Sequence, residues 1–184
     1  SGTTNYQASA FDSNSNKVVL LYQDGGNGEK YTAIVGTVDS SDNSISFGSE
    51  VAVSAGGARS QDGENIAFDT NSNKMLVAYR DNADSAKLKL VVGTVSGTSI
   101  SFGTILDAGI TTGVDYIAIA FNPDRNKFGV AFQRANPVRD LAILEATISG
   151  TSVSFGTIAT ISTNVVDTLA GAYDVNAQKS VLVY

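Results

Sequence analysis

The sequence predicts an all-β protein: a β-propeller-like array of four-stranded antiparallel blades, about three and a half blades in 184 residues. Three observations lead there. The string AFDSNSNK, from Ala10 to Lys17, returns as AFDTNSNK from Ala67, AFNPDRNK from Ala120 and AYDVNAQK from Ala172. A second string, VGTVDSSDNSISFGS from Val35, returns as VGTVSGTSISFGT from Val92 and EATISGTSVSFGT from Glu145. A fixed period of this length means stacked or radially arranged units. Finally, no window carries helical periodicity, while short runs of Val, Ile, Thr, Phe and Tyr alternate with turn residues.

The second repeat shows the elements in order. Glu64 to Phe68 is a first strand, closed by the turn Asp69-Thr70-Asn71-Ser72-Asn73. Lys74 to Arg80 is a second strand, followed by a polar loop. Leu88 to Val95 is a third, ended by Ser96-Gly97-Thr98 with Gly at the φ > 0 position of a hairpin turn. Ser99 to Leu106 is a fourth, with a glycine bulge or bend in Ser-Phe-Gly. The first and third repeats parse alike. Four strands per unit suit a propeller blade better than a solenoid coil or a sandwich. Small residues such as Ala8, Ala10, Ala67, Ala118, Ala120, Ala170 and Ala172 suit first strands crowded about an axis. The aromatics closing first strands (Phe11, Phe68, Phe121, Tyr173) and second strands (Tyr22, Tyr79, Phe132, Tyr184) are expected to pack between blades.

One repeat domain, 1–184, is expected, with repeats 1–58, 59–111, 112–164 and a partial 165–184 that stops at a second strand. Both ends then offer the same strands, so neither completes the other. The expected partners are further repeats or neighbouring copies that complete the array, because closure needs about four blades.

Composition narrows the function. The net charge of −6 and pI near 4.5 leave no basic stripe, which excludes nucleic acid as a partner. With no Cys and no His, thiolate chemistry and the commonest zinc ligand are missing. No apolar run approaches the roughly 18 residues of a membrane span, and no membrane insertion is expected.

Asp12, Asn14 and Asn16, repeated as Asp69, Asn71 and Asn73, alternate oxygen ligands as calcium loops do. Lys17 and Lys74 stand where the loop glycine belongs, and no bidentate Glu follows. Hairpins need Asp and Asn at such positions anyway. The expectation is a turn held by its own side chains, with no cofactor. Asp24, Asp62, Glu64, Asp81, Asp115 and Asp140 could serve a glycosidase, but no pair stands out. The chain also lacks Trp and the arginine cluster of sialidase-like propellers.

Loops after first and third strands are nearly identical between repeats; those after second and fourth strands differ. DGGNGEK, DNADSAK and RANPVRD follow the second strands. Loop diversity on one face of a scaffold is where recognition resides. The candidate ligand-binding residues on that face are Arg59, Gln61, Arg80, Asp81, Tyr116, Arg134 and Arg139.

The (F/Y)DxNxNKVV pattern followed by VGTVSGTSISFGT resembles repeats of fibre and structural proteins of marine bacteriophages, cyanophages among them, and of surface proteins of aquatic bacteria. It covers Phe11 to Gly48, Phe68 to Gly103, Phe121 to Gly156 and Tyr173 onward. The resemblance implies a non-enzymatic virion-surface or extracellular module, a tail-fibre type of structural protein. Its work would be adhesion, with a host or particle surface glycan as ligand, or structural assembly. The alternatives are a purely architectural capsid-decoration or fibre protein, and a fragment of a secreted carbohydrate-active enzyme.

Overall fold

The computed structural model describes residues 2–59, 65–135, 137 and 139–184. Seventeen strands form among them, and each full repeat becomes one antiparallel meander. Unit one holds β1 (Thr4–Asp12), β2 (Lys17–Asp24), β3 (Lys30–Val38), β4 (Ile45–Phe47) and β5 (Val51–Arg59). Unit two holds β6 (Ile66–Asp69), β7 (Lys74–Asp81), β8 (Lys87–Ser96), β9 (Ser99–Phe102) and β10 (Leu106–Asp107). Unit three holds β11 (Val114–Asn122), β12 (Lys127–Arg134), β13 (Leu141–Ser149), β14 (Ser152–Phe155) and β15 (Ala159–Ser162). Unit four is β16 (Ala170–Asp174) and β17 (Lys179–Val183).

The expected fourth strand is in fact two. β4 pairs with the far half of β3, where Gly36 faces Phe47, and β5 pairs with its near half, where Thr32 faces Ala52. Units two and three repeat the division, with β9 and β10 both on β8 and β14 and β15 both on β13. The break falls at Gly48 and Gly103, whose N–H groups donate to Val35 O and Val92 O at 2.9 Å. A Cβ at Gly48 would collide with Thr98 O, and one at Gly103 with Thr151 O. Glycine therefore lets the Ser-Gly-Thr turn of the next unit approach the broken strand. That turn has the expected hand: Gly97 and Gly150 sit at φ of 60° and 61°. Expected strand Glu64 to Phe68 is seen as β6, with Glu64 itself outside the described residues.

The units are not all separate sheets. At the end of β5, Ala58 pairs with Asp81 and Arg59 with Arg80 of β7, which joins units one and two into a ten-stranded sheet. β11 to β15 form a five-stranded sheet and β16–β17 a two-stranded one, and no sheet closes on itself among the described residues.

The cores lie between consecutive units. Along β7, Met75, Val77 and Tyr79 join a cluster with Val19, Leu21, Tyr31 and Ala33 of unit one. The alternate residues Leu76 and Ala78 join a cluster with Ile117, Val130 and Phe132 of unit three. Side chains of one strand point alternately to opposite faces, so unit two is buried on both sides. A smaller cluster of Ala118, Ala131, Leu141, Val166 and Leu169 seals unit three toward unit four, with Leu182 against it. The first strands are neighbours in turn: β1 touches β6, β6 touches β11, and β11 touches β16.

The closing aromatics follow this layering and correct one expectation. Tyr79, Phe121 and Phe132 are buried between units, as expected. Phe11, on the outer side of unit one, stays 53% exposed because no described unit covers it, and Tyr184, just past β17, is 57% exposed.

Candidate functional site

The loops after second and fourth strands meet at one end of the stack, and six of the seven candidate residues can be placed there. Gln61 lies outside the described residues, as do the carboxylates Asp62 and Glu64.

Local backbone sets the floor of this end. Asp24 and Asp81 each cap a short 3-10 turn, Gly25–Asn27 and Asn82–Asp84, by accepting from Gly26 N at 2.8 Å and Ala83 N at 3.0 Å. Both turns leave through left-handed residues, Gly28 and Glu29 in one, Ser85 and Ala86 in the other. DGGNGEK and DNADSAK thus differ in sequence yet share one backbone. RANPVRD departs: Arg134 forks onto Asp140, its Nε 2.6 Å from Oδ1, and also donates to Thr160 Oγ1 at 2.8 Å. The guanidinium holds the Asp140 carboxyl below the usual carboxylate range.

The arginines are engaged. Arg59 and Arg80 are direct cross-strand neighbours, an arrangement that like charges resist unless each finds a partner. Arg80 pairs with Asp115 at the start of β11. Arg59 lies over the Tyr6 ring, 5.6 Å from its centroid, and donates to Tyr6 Oη at 3.3 Å. Tyr6 and its repeat equivalent Tyr116 sit at left-handed φ of 54° and 45°, each inside a strand bulge, with Tyr116 packed against the cluster that seals unit three toward unit four. Arg139 is exposed, with φ of 46°. A second charge network closes unit two, with Lys89 Nζ 2.6 Å from Asp84 and 3.0 Å from Asp107. Lys87 adds contacts of 3.1 Å and 3.3 Å to the same two carboxylates.

Pairwise stitches between units are what sequence reasoning missed. The last-but-one residue of each second strand is Gln23, Arg80 and Gln133. Gln23 Nε2 donates to Ala58 O at 3.1 Å, Gln133 Nε2 donates to Val166 O at 2.9 Å, and Arg80 reaches Asp115. Each bond runs from one unit to the segment that enters the next. Both glutamines are buried, and a buried polar group in a strand needs such a partner. The signal was available as a polar residue at one fixed place in otherwise apolar strands. Asn65 adds to the first seam, donating to Tyr31 Oη and to Ala78 O, while burial pushes the Tyr31 hydroxyl well above the ordinary phenol range.

Every described carboxylate considered for catalysis therefore has a structural partner: Asp24 and Asp81 cap turns, and Asp115 and Asp140 hold arginines. No cluster of three metal-ligating side chains occurs among the described residues. The repeated turns behave as expected of hairpins. Asp12 Oδ1 accepts from Asn14 N and Ser15 N, both at 3.0 Å, and Asp69 Oδ1 from Asn71 N at 2.8 Å and Ser72 N at 3.1 Å. The left-handed residues are Asn16 and Asn73 at φ of 55° and 56°. Asn14 contributes its backbone N–H, and Asn71 uses its side chain to bridge to Pro123 O and Asn126 of unit three.

Shallow cavities remain at the loop-bearing end. One, of about 180 Å³, is lined by Gly109, Ile110, Thr111, Thr112, Arg134 and Ile158. Another, of about 410 Å³, lies against unit one between Gly2, Thr4, Tyr22, Asp24, Gly26 and Glu50. Compared with known proteins, the chain matches no family model and no curated protein sequence.

Proposed function

We propose that this chain is a non-enzymatic, propeller-like module of a virion or cell surface, serving adhesion and structural assembly. The observation that carries the reading is the division of labour between the two ends of each sheet. One end repeats the same self-capped Asx turns. The other carries the loops that differ in sequence, Tyr6 beneath Arg59, and open clefts lined by Thr4, Tyr22, Asp24 and Glu50 in one case and by Thr111, Thr112 and Arg134 in the other. Carbohydrate suits such clefts, because they offer convergent hydrogen-bond donors and acceptors beside aromatic and apolar surface. The engagement of Asp24, Asp81, Asp115 and Asp140 in caps and ion pairs supports binding over hydrolysis.

The test is an array of neutral and acidic glycans probed with the labelled chain, then with Thr111→Ala/Thr112→Ala and Arg139→Ala variants. Capture that weakens at least tenfold in either variant, with no turnover of the captured glycan, supports adhesion. An array with no capture removes the adhesive half of the proposal, and released product would make the chain an enzyme.

A further inference from the structure

We infer that Asn27 is a site of spontaneous deamidation, and that the aspartate formed there meets Lys30 in an ion pair that unit two already contains. The inference is independent of the adhesive reading. Asn27-Gly28 is the one Asn-Gly pair in the sequence. Asparagine is thermolabile where the next backbone nitrogen can reach its side-chain amide, and glycine, with no Cβ, obstructs that approach least. The structure leaves the step open here. Asn27 ends the 3-10 turn Gly25–Asn27 and is exposed. A Cβ at Gly28 would meet no atom within 4 Å. The amides of Asn65 and Asn71, by contrast, are held in hydrogen bonds to Ala78 O and Pro123 O.

In the reaction Gly28 N bonds to Asn27 Cγ and gives up its proton, while the amide nitrogen leaves as ammonia and a succinimide closes. Water then adds to one of the two ring carbonyls and breaks its bond to nitrogen, with no change of oxidation state. Breakage at Cγ gives aspartate, and breakage at the main-chain carbonyl gives isoaspartate. The aspartate has a precedent within the chain. The turn Asn82–Asp84 carries Asp84 at the same place, on a matching backbone: the capping Asp24 and Asp81 have φ of −96° and −90°, and Gly28 and Ser85 have φ of 66° and 54°. Asp84 pairs at 3.1 Å with Lys87, three residues on, which opens β8. Lys30 opens β3 three residues after Asn27. The isoaspartate has no such counterpart. It lengthens the main chain ahead of Glu29, whose carbonyl accepts from Ala58 N at 3.0 Å.

The test holds the full chain in mildly alkaline buffer and follows its tryptic peptides by mass spectrometry. The peptide Val18 to Lys30, in which Asn27 is the only asparagine, should gain the mass of an amide exchanged for an acid before any other asparagine does. Gly28→Ser, which sets unit two's residue on that backbone, should slow the gain and keep the wild-type circular dichroism. The comparison among asparagines in wild type stands whether or not that variant folds. In Asn27→Asp, a titration followed by NMR should find the new carboxylate below the ordinary carboxylate range, and adding Lys30→Met should bring it back up. An Asn27 that outlasts Asn43 or Asn82, or a rate that a folded Gly28→Ser leaves unchanged, overturns the site. A new carboxylate whose titration ignores Lys30→Met overturns the ion pair.

Discussion

Replacing Gln133 by Leu removes one stitch while keeping side-chain volume nearly constant, so no cavity is opened. Gln133 is 1% exposed and Val166 4% exposed, and the bond between them is 2.9 Å long. Its loss strands a buried carbonyl, which costs about 1–3 kcal/mol. For a chain of this size each kcal/mol moves the melting temperature by roughly 2–4 °C, so a fall of about 2–12 °C is expected. In a repeat array stability is local to a seam and its neighbours. The same energy should therefore raise the open population of β16–β17 about 5- to 150-fold. Trypsin cleavage after Lys179 reports that population when opening is fast against cleavage. Gln23→Leu cuts the equivalent bond to Ala58 O, at the end of β5 where that strand pairs with unit two. It should lower the melting temperature similarly and leave Lys179 cleavage unchanged. Equal acceleration by both variants, or none by Gln133→Leu, would refute the idea of local seams.

Asp69→Ala removes an acceptor of three hydrogen bonds, including Ser72 Oγ at 2.6 Å, and should cost about 1–2 kcal/mol in thermal denaturation. Chelator should leave the wild-type melting curve in place; a drop that Asp69→Ala abolishes would make the turn a cation site. Acidification tests the Arg134–Asp140 fork. Asp140 is held below its unfolded value, so its contribution is present above the ordinary carboxylate range and is lost as pH falls below about 4. Asp140→Asn should flatten the dependence of melting temperature on pH between neutrality and pH 3 or so; an unchanged slope would mean the pair carries no linked proton.

Much of this fold is legible in the sequence because its information is local and repeated. The Asp-x-Asn turns, the left-handed glycines of Ser-Gly-Thr and the order of strands follow from turn chemistry and period-two patterning. The split of each fourth strand was half visible: Gly48 and Gly103 announced a bend, but the reason for it, the next unit's Thr98 and Thr151, is a long-range contact. Joining of units one and two through Ala58 and Arg59 was not legible for the same cause. At the candidate site, sequence reasoning put Arg59, Arg80 and Arg134 on the variable-loop face and did not foresee their partners within the chain. Arg80 pairs with Asp115 of an adjoining unit, Arg134 with Asp140 across a loop, and Arg59 lies over Tyr6, contacts to which no spacing rule points. The loops after β2 and β7 looked divergent, yet a capping Asp and two left-handed residues give them one shape.

In a stack of repeated units, burial depends on having a unit on each side. Native-state amide exchange, resolved strand by strand, tests it most directly. Protection should be greatest in β7, β8 and β12, whose residues are covered on both faces, lower in β2 and β3, and least in β16 and β17. Uniform protection across all four units, or greatest protection in β16 and β17, would contradict the account.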